Sequence, residues 1–361
     1  MRWTPQARAL LSGAALCALA GIGVTYLLGG DARDATLTQS IPRATSTPAS
    51  GLPSSAPSSA SVGYAVTLTA RPAGRPRPTS HVPAKVAPLP TRVPTTGRPT
   101  PTPSPPPELD FRLTTFNVLG ASHTTRRGSS PGYASGRERA DGVVALLARH
   151  GSDVAGFQEL QGPQLAVLQR RSGMDFFPGF SLGRLGTDNS LGWRRDRWVA
   201  VEKHTVAIPY FDGGIRQMPY VRLRNLRTGI EAWFANFHNP AETARFHHQQ
   251  RYRVRATRIE AQLARRLVGT TGLPVFITGD MNERAPYFCR LTATAPMVAA
   301  HGGSNNGTCR AGRPRTIDWI FGSRGVDFTS YDEDRSQLVD LTTDHPVITA
   351  GVHLVGPAPG R

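Results

Sequence analysis

The apolar and polar positions fall into three regimes along the chain. From Ala9 to about Gly30 the residues are apolar almost without break, close to the roughly twenty that a helix needs to cross a bilayer core. Residues 31–107 show neither helical nor strand periodicity. From Glu108 onward short apolar runs alternate with helical stripes. The runs Phe111–Phe116, Val154–Phe157, Ser190–Val201, Tyr220–Leu223, Glu231–Phe237, Val275–Thr278, Thr316–Phe321 and Pro346–Val352 read as strands. Gly136–His150 fits a helix with Val143, Leu146 and Leu147 as its apolar face. A long basic helix is expected over Ala241–Leu267, with Tyr252, Ala256, Ile259, Leu263 and Leu267 on its buried stripe. Several strands follow one another in mid-chain, so mixed sheets flanked by helices fit better than a simple alternating parallel sheet.

Composition turns these regimes into an organisation. Residues 1–30 carry Arg2 and Arg8 ahead of the apolar run and Asp31 just after it, which orients the N-terminus inside and the rest outside. The run is long for a signal peptide and lacks a small-x-small cleavage site, so a single-pass signal anchor fits better than a cleaved leader. The first reading places the protein in the cell membrane with its bulk extracytoplasmic, the second makes it secreted. Residues 31–107 are rich in Pro, Ser, Thr and Ala, end in Thr-Pro-Thr-Pro-Ser-Pro-Pro-Pro, and read as a disordered, semi-rigid stalk. Residues 108–356 have the aromatic and aliphatic density of one folded domain.

The net charge is +17, of which residues 1–107 hold ten Arg/Lys against two Asp, or +8, leaving +9 for the remainder. Such a balance favours polyanionic partners without naming one. The Arg251, Arg253, Arg255 and Arg258 series and the Arg194, Arg195 and Arg197 group are candidate phosphate contacts, or merely solvated faces. Of three cysteines, Cys17 lies in the apolar run, and Cys289 with Cys309 would form a disulfide if the domain lies outside the cytoplasm.

Six polar clusters sit at the ends of expected strands: Phe116-Asn117-Val118, Phe157-Gln158-Glu159, Phe237-His238-Asn239, Gly279-Asp280-Met281-Asn282, Ile317-Asp318-Trp319 and Thr343-Asp344-His345. A sheet holds such positions rigid while the following loop exposes them. Singly, each has an ordinary explanation as a turn residue or a satisfied core histidine. Asp318 is the exception, because a carboxylate inside an apolar strand needs a partner, and an imidazolium suits. Jointly they suit a hard divalent cation and a phosphate. Glu159 and Asp344 offer oxygen ligands to Mg2+, with Mn2+ and Ca2+ as other candidates. His247 and His248, adjacent on the basic helix, read as surface.

In this order and spacing the clusters resemble the endonuclease/exonuclease/phosphatase superfamily of deoxyribonuclease I-like proteins, across essentially all of residues 108–355. The resemblance implies a four-layer α/β sandwich of two mixed sheets packed face to face. It implies that Glu159 binds the metal, with Asn117 and Asp344 completing the metal and phosphate surroundings. Asp280 and Asn282 would orient the attacking water and hold the phosphate, Asp318 would orient His345, and His238 matches the family's mid-chain histidine. Asp188, with Asn189 beside it, is the candidate partner of His238. Leu119 stands where the family often has a polar group, which weakens a two-metal reading. The expected activity is Mg2+-dependent hydrolysis of a phosphodiester by a monomer, with nucleic acid the favoured substrate. A phospholipid or headgroup phosphodiesterase and a catalytically inactive binding module are the competing readings.

Overall fold

The computed structural model describes residues 105–184, 186–312 and 316–357. The expected membrane segment, and almost all of the Pro-rich stretch, lie outside the described residues. Among the described residues no helix is long and apolar enough to cross a membrane.

In chain order the elements are β1 (Glu108–Asn117), α1 (Gly136–Arg149), β2 (Val154–Gln158), α2 (Gly162–Arg171), β3 (Met174–Phe177), β4 (Leu191–Arg194), β5 (Trp198–Pro209), β6 (Ile215–Asn225) and β7 (Glu231–His238). There follow α3 (Gln250–Thr271), β8 (Val275–Asp280), α4 (Ala285–Thr294), β9 (Met297–Ala299), β10 (Ser304–Asn306), β11 (Thr308–Arg310), β12 (Asp318–Ser323), β13 (Asp327–Asp334), α5 (Gln337–Thr342) and β14 (Val347–Val355). Two six-stranded mixed sheets result, ordered β13-β14-β1-β2-β4-β3 and β5-β6-β7-β8-β12-β9, with β10 and β11 forming a separate hairpin. The expected fold class is the observed one.

Strand alternation explains the layers, because successive side chains point to opposite faces. On β7, Ala232 and Phe234 enter the space between the sheets, while Trp233, Ala235 and Phe237 face α3 and α4. Between the sheets Phe111 meets Trp198, Phe234 and Phe276 edge-on, with ring centroids 5.3, 5.9 and 5.5 Å apart. Outside the first sheet, α1 and α2 cover Phe116 and Phe157 with Val143, Leu146 and Leu168. Helices, sheet, sheet and helices therefore stack as four layers.

A buried polar seam joins the sheets near their functional end. Gln158 Nε2 donates to Asn236 Oδ1 at 2.6 Å, Asn236 Nδ2 donates to the Phe157 carbonyl at 2.7 Å, and Thr278 Oγ1 donates to Asn236 Oδ1 at 3.1 Å. A Cβ on Gly156 would lie 2.0 Å from Thr278 Oγ1 and 2.4 Å from Asn236 Oδ1, so only glycine allows this approach. Gln158 thus locks the sheets together, whereas Glu159 beside it in the chain faces the site.

Three local expectations change. The run Ser190–Val201 is two strands in different sheets, broken by a turn in which Arg197 N bonds the Arg194 carbonyl at 3.1 Å. The basic helix begins at Gln250, because Glu242 reaches forward and accepts from the Gln249 and Gln250 amides at 2.8 and 3.2 Å. His247 and His248 are exposed in the segment before that helix, not on it. Cys289 on α4 and Cys309 on β11 are joined by a disulfide, with Cα atoms 5.7 Å apart.

Candidate active site

Topology alone gathers the strand-end clusters. β1 and β2 run parallel with Asn117 opposite Gln158, and β7 and β8 run parallel with His238 opposite Asp280. β12 runs antiparallel to β8 and starts at Asp318, opposite Asp280. β14 runs antiparallel to β1, so Asp344 and His345, just before β14, arrive at the end of β1. All six clusters therefore meet at one end of the sandwich, across both sheets.

Asp280 is the hub, and it is only 2 % exposed. Asn117 crosses between the sheets, its Nδ2 donating to Asp280 Oδ2 at 3.1 Å and to Glu159 Oε1 at 3.0 Å. His238 Nε2 and His345 Nε2 approach Asp280 Oδ2 at 3.6 and 3.7 Å. Asp280 Oδ1 accepts from the Asn282 amide at 2.9 Å, and Asn282 Nδ2 donates to the Asn239 carbonyl at 2.7 Å. His345 Nδ1 lies 3.0 Å from both Asp318 oxygens, which fixes the ring and directs Nε2 toward Asp280. Thr316 Oγ1 donates to Asp318, and Glu159 Oε2 accepts from the Gly120 amide at 2.9 Å.

The charges follow from these contacts. Burial disfavours the His345 imidazolium, but Asp318 and Asp280 outweigh it and push the ring's pKa up to about 11. Burial, with Asp318 adding to it, raises Asp280 against the opposing pull of the two imidazoles. Burial would also raise Glu159; the charge of His238, the Gly120 N–H and the Asn117 amide together hold it below the usual carboxylate range.

Asp188 does not reach His238. No hydrogen bond or ion pair joins them, and His238 Nδ1 instead faces the Tyr210 hydroxyl at 3.4 Å. Asp188 stands half-buried nearby, raised to about 6 by burial although Arg216 and His238 pull the other way. Tyr210 follows β5 directly, an aromatic after a proline, which reads in sequence as core. His123, whose Nε2 is 3.3 Å from Glu159 Oε2, gave no strand-end signal because it lies in a short 3-10 turn, Ala121–Thr124, between β1 and α1.

Two buried arginines hold the loops. Arg139 donates to the carbonyls of Val118, Leu119 and Thr342 at 2.8, 2.6 and 2.7 Å, tying the loop after β1 to the one before Asp344. Its place four residues before Val143, on the apolar face of α1, is a signal the sequence carried. Arg253 donates to the Pro240 carbonyl at 2.8 Å and to Glu242 at 3.1 Å, and its Nε lies 3.4 Å from buried Glu283. It is therefore a clamp between the loops after β7 and β8, not a phosphate contact. The Arg194, Arg195 and Arg197 group pairs with Asp196, Asp175 and Asp153 at the far end of β4 from the site. Leu119, Glu159 and Asn282 adopt positive φ (51, 58 and 50°), a conformation costing about 1–3 kcal/mol each that concentrates here at the site.

The donor set fits a hard divalent cation. Glu159 accepts two hydrogen bonds, from Asn117 Nδ2 and the Gly120 amide, with His123 Nε2 3.3 Å away, so lone pairs remain on its carboxylate. Asp344 is exposed and makes no hydrogen bond or ion pair among the described residues. Asn117 Oδ1 accepts from the Leu119 amide at 3.0 Å and keeps a second lone pair. Asp280, Asp318 and His345 also offer one ligand atom each within 4.8 Å of one another and could hold a metal. A cation there would first have to displace the His345 proton, which makes Glu159 the better anchor.

Comparisons with known proteins agree with this architecture. The model of the Endonuclease/Exonuclease/phosphatase family matches residues 114–345. No curated protein sequence matches the chain. Among solved structures, a mannosyl-6-phosphatase of Bacteroides thetaiotaomicron VPI-5482 is 20% identical with a TM-score of 0.52, over 67% of this chain and 99% of that one. The human Nocturnin catalytic domain with bound sulfate is 15% identical with a TM-score of 0.52, over 70% of this chain and 96% of that one. D. rerio TDP2 complexed with single strand DNA product is 18% identical with a TM-score of 0.50, over 68% and 99%. At such identities the likeness is one of fold. The family match spans strands of both sheets and all six clusters: the chain belongs to the endonuclease/exonuclease/phosphatase family and is a phosphoric ester hydrolase.

Proposed function

We propose that the chain is a Mg2+-dependent phosphodiester hydrolase acting on DNA or RNA outside the cytoplasm. The observation that carries the reading is Asp280, reached at once by Asn117, His238 and His345, with Asp318 gripping the far side of the His345 ring. Glu159 and Asp344, with Asn117 beside them, would hold the cation, which when bound offsets charge on the phosphate. Asp280 takes the proton of the water that attacks phosphorus, and Asn282 positions the hub carboxylate through its backbone amide. His345, with Nδ1 held by Asp318, presents an Nε2–H to a non-bridging or leaving oxygen. His238, steadied by Tyr210, donates to the same developing charge, while the Asn117 amide uses its two N–H groups to hold Glu159 and Asp280 in register. These groups achieve hydrolysis without a covalent enzyme intermediate.

Nucleic acid as substrate rests on charge and on one relative. The remainder of the chain after residue 107 carries +9, and Arg216 lines the cavity beside Glu159 and His238. The TDP2 structure holds a single strand DNA product on the same fold. The disulfide suits an oxidising location. With it goes the proposed organisation: a signal anchor over 1–30, a stalk over 31–107 and a monomeric catalytic domain over 108–356. Purified protein is expected to degrade single-stranded DNA or RNA with Mg2+ and to lose at least about 10²-fold in rate with excess chelator. Intact nucleic acid alongside cleaved sphingomyelin or mannose 6-phosphate would overturn the substrate assignment. Undiminished cleavage in chelator would overturn the metal assignment.

A further inference from the structure

Beside Glu159 and His238 the site opens into a cavity of about 310 Å³, walled by Asp188, Asn189, Tyr210, Phe211 and Arg216. That volume is at the small end for ligand sites, enough for one compact unit of a substrate. Its aromatic wall is firm, because Phe211 stacks on Phe246 with centroids 4.4 Å apart and Tyr210 meets Phe211 edge-on at 4.5 Å.

Arg216 is the unexplained group here. It sits on β6, fixed by pairing with Ile208 of β5, and its guanidinium carbon lies 5.3 Å over the Tyr210 ring centroid. Other half-buried or buried arginines are tied down: Arg139 by carbonyls, Arg222 by Glu202 and Glu231, and Arg253 by Glu242 and Glu283. The Arg216 side chain makes no hydrogen bond or ion pair among the described residues, and its Nη1 is buried without a partner. Asp188 shares the cavity but stays outside ion-pair distance. A guanidinium held on a rigid strand, stacked on an aromatic ring and left unpaired beside a phosphate-hydrolysing centre has the chemistry of a phosphate receptor. Tyr210 stands between it and His238, meeting the imidazole at 5.6 Å between ring centroids, so the two anion positions are one ring apart.

We infer that Arg216 holds the phosphate next to the scissile one, with the intervening nucleoside seated against Tyr210 and Phe211. This rests on the nucleic-acid reading of the site, and it makes Arg216 a specificity-determining residue rather than a catalytic one. A substrate with two phosphates one nucleoside apart engages both positions, and a single phosphate engages one.

Titration calorimetry of the full chain in Mg2+ with thymidine 3′,5′-bisphosphate and with thymidine 5′-monophosphate tests this without requiring turnover. The bisphosphate is expected to bind about tenfold or more tightly than the monophosphate, the range of a charge-assisted hydrogen bond. In Arg216→Gln the ratio of the two constants falls to near one, and Arg216→Lys retains part of it. Because the readout is a ratio within one protein, general loosening of the fold does not imitate it. A wild-type ratio near one, or an unchanged ratio in Arg216→Gln, overturns the inference. A ratio that behaves as expected in a protein that cleaves no oligonucleotide supports the second-phosphate subsite and removes the nucleic-acid reading instead.

Discussion

Replacing Asp280 by Asn is expected to lower kcat by about 10³-fold while leaving KM within a few-fold. The substitution nearly preserves shape, so the effect reports chemistry. Asp280 Oδ1 accepts from the Asn282 amide and Oδ2 faces Asn117 Nδ2, His238 Nε2 and His345 Nε2. An asparagine can satisfy only one of these edges. With its oxygen on Asn282, its NH2 points at an amide donor and two imidazoles; with the amide turned over, it loses Asn282. Either way, the acceptor for the attacking water's proton is gone and donors face donors in a buried site. Steady-state kinetics on one phosphodiester, with circular dichroism to show an intact fold, check the expectation. A kcat within tenfold of wild type would mean that another group accepts the proton.

Arg253→Met is expected to destabilise the fold by about 2–3 kcal/mol, because it removes one of the two counter-charges of a buried carboxylate together with the donor to a buried carbonyl. Glu283 is only about 8 % exposed, and Arg253 and Arg290 are its two counter-charges. Removing Arg253 also frees the Pro240 carbonyl and Glu242, so the loops that follow His238 and Asp280 lose their common support. Small displacements of positioned groups are costly in catalysis, so kcat should fall with stability. In the double variant with Glu283→Gln the loss should be smaller than the sum of the two single losses, because both residues belong to one charge network. Urea unfolding of the two single variants and the double measures this. A loss under about 1 kcal/mol, or strict additivity, would show that Arg253 is an ordinary surface arginine.

The sequence made the site more legible than the frame around it. Asn117, His238, Asp280, Asp318 and His345 each interrupt an apolar run at a strand end, and that interruption is a local pattern. Their convergence needed only the resemblance to a family whose order they share. Tyr210, His123 and Arg216 escaped because their roles arise from contacts across strands and loops that leave no periodic trace. Arg253 misled for a related reason: on a helix rich in arginine, one buried position looks like its solvated neighbours until the helix is seen against the loops it clamps. The resemblance placed Asp188 beside His238, and the tyrosine that faces the imidazole comes from just past the end of β5 instead. Among elements, β13 carries Asp, Ser, Thr and Glu along an edge, so no apolar alternation marked it. The split of Ser190–Val201 turned on the Arg194–Arg197 turn, where the chain changes sheet at an Arg-Arg-Asp-Arg stretch without a glycine or proline to announce it.

The measurement that bears most directly on the account is a double-mutant cycle on Asp318 and His345, read as single-turnover cleavage of a single-stranded oligonucleotide in Mg2+. If Asp318 acts by holding His345, each single variant, Asp318→Asn and His345→Ala, slows cleavage by at least about 10²-fold, and the double variant is no slower than His345→Ala alone. Multiplying losses, or a His345→Ala enzyme that cleaves at the wild-type rate, would contradict a catalytic centre built on this pair.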